Sequence, residues 1–74
     1  MTVTTSDTIR VTINGAPRDI PDRLSVKALV EHLGIVDGPV AVELNGVVVP
    51  RRRHVEQLVV AGDVVEIVHF VGGG

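Results

Sequence analysis

Two Asn-Gly steps, Asn14-Gly15 and Asn45-Gly46, each lie between short runs of apolar residues. Both residue types tolerate the positive φ of a two-residue hairpin turn, so each step predicts a pair of antiparallel strands. Before the first step, Ile9, Val11 and Ile13 alternate with Arg10 and Thr12, the period of a strand. After it, a strand covers about Ala16 to Ile20. Pro17 cannot donate to a ladder, which places that strand at an edge. Before the second step, Val40, Val42 and Leu44 alternate with Ala41 and Glu43; after it, Val47 to Val49 form a short strand that stops at Pro50.

The stretch between the hairpins carries the other periodicity. Val26, Leu29, Val30 and Leu33 follow the i, i+3, i+4, i+7 spacing of one helical face, with Lys27, Glu31 and His32 on the wet side. Ser25 is a good N-cap, Leu24 can staple onto Leu29, and Gly34 ends the helix, which is expected over 25–33. Residues 35–39, with Gly38-Pro39, read as a loop. Residues 51–60 read as irregular chain or a single helical turn, Ala61-Gly62-Asp63 as a turn, and Val64 to Val71 as a last strand. A helix joining two hairpin-like units must cover one face of a single sheet. The expected fold is therefore α+β, a β-grasp layout with a mixed sheet of about five strands packed on one helix. At 74 residues the chain reads as one domain over 1–74, with a frayed lead-in over 2–8 and a flexible glycine tail at 72–74.

Composition narrows the function. Phe70 is the single aromatic residue and the net charge is −2, so neither stacking platforms nor a basic field supports nucleic-acid binding. The chain has no Cys, which excludes disulfides, thiol nucleophiles and thiolate metal sites. No apolar run approaches the roughly 20 residues that span a bilayer, and the first ten residues lack the pattern of a secretory signal. The expectation is a cytoplasmic protein without nucleic-acid or membrane partners.

The unusual feature is Gly72-Gly73-Gly74 after a Val-rich strand. Glycine is costly to order and has no side chain. Such a tail can be threaded down a narrow channel and can present the carboxylate of Gly74 to another protein's active site. Other candidates are weaker. His32, His54 and His69 match no compact metal-ligand spacing, and no metal or cofactor is expected. Ser25 is better read as a cap than as a nucleophile, since no Gly-x-Ser-x-Gly elbow surrounds it. Arg51-Arg52-Arg53 reads either as solvated surface or as a docking patch for an acidic partner, with Arg51 favoured. In the last strand, outward-facing Glu66 turns Val65 and Ile67 inward and places Val64, Val68 and Phe70 on the outer face, beside Arg10, Thr12, Ala41 and Glu43. Val68 and Phe70 would then form an apolar partner site next to the tail, unless a loop or the N-terminal segment covers them.

Along nearly its whole length the chain resembles the ThiS family of sulfur carriers. The resemblance is strongest over Leu44 to Gly74 and rests on Asn45, the Val49-Pro50-Arg51 step, the Gly62-Asp63 turn, the apolar last strand and the Gly73-Gly74 end. The helix "SVKALVEHLG" matches in position and pattern. His54 departs from it, where related chains often carry an aromatic residue. The resemblance implies that Gly74, preceded by Gly73, is the attachment point of an adenylate and then of a thiocarboxylate, with Gly72, Phe70, Val68 and Arg51 meeting partners. It implies an adenylating enzyme of the ubiquitin-activating (ThiF or MoeB) type that uses ATP, a sulfur donor, and a thiazole synthase of the ThiG type. The chain itself would be a protein substrate rather than an enzyme. Relatives that share fold and tail keep three alternatives open: the small subunit of molybdopterin synthase, a carrier for another sulfur-containing metabolite, or a ubiquitin-like modifier. A plain interaction module with an incidental tail is the remaining one.

Overall fold

A computed structural model describes residues 7–36 and 38–70. Most of the expected lead-in and the whole tail over 72–74 lie outside the described residues.

The first Asn-Gly step joins β1 (Thr8–Ile13) to β2 (Ala16–Pro21) in an antiparallel ladder that pairs Ile13 with Ala16 and Ile9 with Ile20. Asn14 has φ +49, the conformation this turn requires. The sheet order is β2-β1-β5-β3-β4, so β2 is an edge strand, as Pro17 predicts. The helix α1 spans Val26–His32, one residue shorter at each end than expected. Ser25 and Leu33 are its caps rather than members. Ser25 Oγ accepts the Ala28 N–H at 3.1 Å. At the other end Gly34 N–H donates to Glu31 O and Ile35 N–H to Val30 O, a pattern that satisfies the last carbonyls and stops the helix.

The strand β3 covers Val40–Leu44 and turns through Asn45-Gly46 into β4, Val47–Val48. The expected third residue of β4, Val49, lies outside the strand. Its N–H still donates to Val42 O at 2.9 Å, but Pro50 has no N–H with which to continue the ladder. Arg51–Arg53 form a single 3₁₀ turn. The strand β5 covers Val64–His69, with Phe70 beyond it; the expected last residue, Val71, lies outside the described residues. Its last ladder pair is His69 with Val40. Beyond it stands Pro39, which cannot donate, and the ladder ends.

β5 is the middle strand. It runs parallel to β1, pairing Thr12 with Val64 and Ile13 with Val65, and antiparallel to β3 from Leu44–Val65 to Val40–His69. This is the mixed β-grasp sheet. Val11, Ile20, Val42 and Val65 from the sheet are buried with Val26 and Leu29 of α1. Fully burying a side chain such as Leu29 contributes roughly 1.5–3 kcal/mol. Val59, from the stretch read as irregular, joins this core. Its segment is tied to the start of α1 by Val59 N–H to Leu24 O and Val26 N–H to Gln57 O.

Candidate functional site

Gly72, Gly73 and Gly74 lie outside the described residues, so the described part of the site is the platform from which they leave. That platform is the far end of β5. Val65 and Ile67 point into the core, while Val64, Val68 and Phe70 are about half exposed, as the period of two requires. Across the ladder Ala41 stands beside Val68, and Thr12 beside Val64. Val48 lies across from Glu43 and Glu43 across from Glu66. The outer face is therefore a run of exposed apolar side chains around two carboxylates. At its β1–β2 side Arg10 Nε donates to Asp19 Oδ1 at 2.6 Å. That hydrogen bond, with the guanidinium charge, holds the Asp19 carboxyl below the usual aspartate range.

Two features fix where the chain leaves this platform. The Phe70 N–H donates to Pro39 O at 3.0 Å. Gly38, with φ +86, lies so close that a Cβ there would stand 2.8 Å from the Phe70 carbonyl oxygen and 3.2 Å from His69 Nε2. The sequence marks Gly38-Pro39 only as a loop. A Gly-Pro step directly before a strand was the signal that it does more.

The candidate partner residues divide between two faces. Val68 and Phe70 share the outer face. Arg51 lies on the helix side, in an open groove of about 390 Å³ that it lines with Lys27, Glu31, Val36, Gly38 and His54. The expected docking residues thus do not form one patch. Gly38 lies against the far end of β5 and also lines the groove.

The histidines are apart from one another. His32 is exposed on α1. His54 uses Nε2 against Val49 O at 3.0 Å, and His69 is at the end of β5. Among the described residues no group of three His, Cys, Asp or Glu could hold a metal ion, and no helix is long and apolar enough to cross a membrane.

Sequence reading missed a lock at the start of β5. Asp63 is buried. Its carboxylate accepts the Val60 N–H at 2.8 Å and Asn45 Nδ2 at 3.0 Å. Asn45 Oδ1 in turn accepts the Val64 N–H at 2.9 Å. Asn45 and the Gly62-Asp63 turn, which carry much of the family resemblance, are therefore in contact. The other hairpin turn does similar work: Asn14 accepts from Ile67 N–H at 2.7 Å and donates to Ile67 O at 3.1 Å.

Comparison with known proteins agrees with this geometry. The model of the ThiS family matches residues 11–74. A thiazole synthase of Paramagnetospirillum magneticum is 39% identical over 66 residues, which are 89% of this chain and 20% of that protein. The chain thus spans about a fifth of that relative's length. An uncharacterized protein, ycf40, of Porphyra purpurea is 33% identical over 66 residues, 89% of this chain and 93% of that one. Among solved structures, the thiamine biosynthesis protein ThiS of Geobacter metallireducens superposes with a TM-score of 0.76 at 36% identity, covering 89% of this chain and all of that one.

Proposed function

Because this chain belongs to the ThiS family, we propose that it carries sulfur for thiazole formation in thiamine biosynthesis, as a thiocarboxylate on Gly74. The observation that carries the reading is a family match that runs from β1 through Gly74, on a chain whose last described residue is presented at the end of the central strand.

A carboxylate is a poor electrophile. In the first step a carboxylate oxygen of Gly74 attacks the α-phosphorus of ATP held by an adenylating enzyme. An O–P bond forms and pyrophosphate leaves. A sulfide-level nucleophile from a sulfur donor then attacks the acyl carbon. The C–S bond forms, the C–O bond to AMP breaks, and a thiocarboxylate remains. ATP is bound by the enzyme, so this chain needs no cofactor of its own. It is the protein substrate of the reaction, and its place is the cytoplasm, where ATP is supplied.

The acceptor of the sulfur is a thiazole synthase. A stretch similar to nearly all of this chain forms a fifth of a protein named thiazole synthase, which supports the two working together. The outer face, with Val68 and Phe70 around Glu43 and Glu66, is the docking side for the adenylating enzyme. Its carboxylates call for basic groups on the other surface. Arg51, in the groove on the opposite side, is left to a different contact.

Intact mass spectrometry tests the reading. The chain is incubated with ATP, the adenylating enzyme and a sulfide donor, beside a chain lacking Gly74. A mass gain equal to replacing one oxygen by sulfur, confined to the full chain, is the expected result. No gain with a demonstrably active enzyme overturns it.

A further inference from the structure

We infer that Gly38 and Pro39 form a bracket that fixes the point from which the tail departs, and that Gly38 is a positioning residue for activation of the Gly74 carboxylate. The inference rests on the carrier reading above.

The ladder between β3 and β5 ends at Val40 and His69. One residue further on, in the same register, the Phe70 N–H still donates to Pro39 O at 3.0 Å, although Pro39 has no N–H with which to return a bond. This contact requires the loop before β3 to lie against the Phe70 backbone. Gly38 permits that approach in two ways. It adopts φ +86, which L side chains rarely take. It also leaves vacant the position where a Cβ would meet the Phe70 carbonyl oxygen at 2.8 Å. That obstacle is backbone, so no rotamer change relieves it. The other described glycines with positive φ, at 15, 34, 46 and 62, have nothing within 4 Å of a Cβ. Gly38 alone among them is required by contact as well as by conformation.

The consequence is a fixed tether. With Phe70 held, four residues lead to Gly74, a maximum reach of about 14 Å. Releasing Phe70 lengthens the tether and lets its origin wander. Both lower the share of encounters in which the carboxylate stands in line with the nucleotide, while the docking face is untouched.

Gly38→Ala and Gly62→Ala separate the contact from the strain. Both place alanine at the same unfavourable φ, +86 and +88, and only the first meets the Phe70 oxygen. Two measurements are made on the full chain: amide hydrogen exchange at Phe70 with Val11 and Val65 as references, and steady-state adenylation by ATP–pyrophosphate exchange. For Gly38→Ala the expected result is at least tenfold faster exchange at Phe70 with the references unchanged. Its kcat falls by about three- to tenfold at constant KM for the carrier. Gly62→Ala should show neither change at a similar loss of Tm. A synthetic chain with an ester between His69 and Phe70 removes the N–H without adding any atom and should reproduce the kcat loss. If the wild-type chain is adenylated and Gly38→Ala matches Gly62→Ala in both readouts, the inference is overturned. So it is if Phe70 exchange accelerates while kcat stays constant. Failure of the wild-type chain to be adenylated by an active enzyme overturns the carrier reading first, and the inference with it.

Discussion

The two ends of β5 are held by different means. At its start, Val64 is fixed by side chains: Asn45 takes its N–H, Asp63 holds Asn45, and the same carboxylate holds Val60. At its far end, the contacts seen at Phe70 among the described residues are made by backbone, through Pro39 O and the bare Cα of Gly38. The first arrangement buries a charged group and depends on it for stability. The second holds Phe70 through its main chain while its side chain stays about half exposed. The proposed carrier role calls for one rigid end and one accessible end, and the same strand can supply both.

Asp63→Ala should have the largest effect on stability. It leaves the part-buried Val60 N–H and Asn45 Nδ2 without their acceptor, at a cost of about 2 kcal/mol, read from the urea midpoint. Adenylation of the chain that remains folded should be unchanged. Asn14→Ala comes next. It removes both bonds to Ile67, in the middle of β5, and puts alanine at φ +49. We expect a loss of about 1–2 kcal/mol. A loss as large as that of Asp63→Ala would mean the middle of the strand is held as firmly as its start. Phe70→Ser should change stability by less than about 0.5 kcal/mol, because the side chain is half exposed. It should weaken binding of the adenylating enzyme about tenfold, equivalent to about 1.4 kcal/mol. Loss of folding instead would show the far end to be core, and the contrast between the two ends would disappear.

Asp19→Asn, away from β5, should give the smallest change. The Asp19 carboxyl is held below the usual aspartate range by Arg10. Its contribution is therefore complete above the unfolded-state value, about 4, and is lost as pH falls through the lower folded value. The pair is solvated, so the contribution is small. Urea midpoints taken on the acid side should fall slightly less steeply with pH in the variant than in the wild type.

What could be read in the sequence was local. Each Asn-Gly turn, the edge position of β2, the Ser25 cap and the alternation that turns Val68 and Phe70 outward depend on residues within a few positions of one another. The family resemblance added the tail chemistry. Long-range contacts were not legible. Asn14 reaches Ile67 across 53 positions, and nothing in a hairpin dipeptide announces that its side chain will pair with a distant strand. Asp63 looks like a turn residue because turns favour aspartate, and one of its partners, Asn45, lies 18 positions earlier. Val49 and Phe70 lie outside the strands expected to include them, and for one reason. Pro50 and Pro39 end the ladders, and Pro39 does so from the neighbouring strand's side, where the sequence of β5 carries no sign of it. Arg51 was placed by its neighbours in sequence, and only the fold shows that it faces away from Val68 and Phe70.

The strand order has a consequence for synthesis. β1 and β2 pair with each other, β3 and β4 pair with each other, and only β5 joins the two hairpins. A nascent chain that has reached Asp63 holds two separate ribbons, and isolated hairpins are marginal in water. The sheet closes only after Val64–His69 leaves the ribosome. A product cut off before that point cannot fold and is left to proteases. The fold thus acts as its own inspection step: a chain that closes its sheet has been translated through the end of β5.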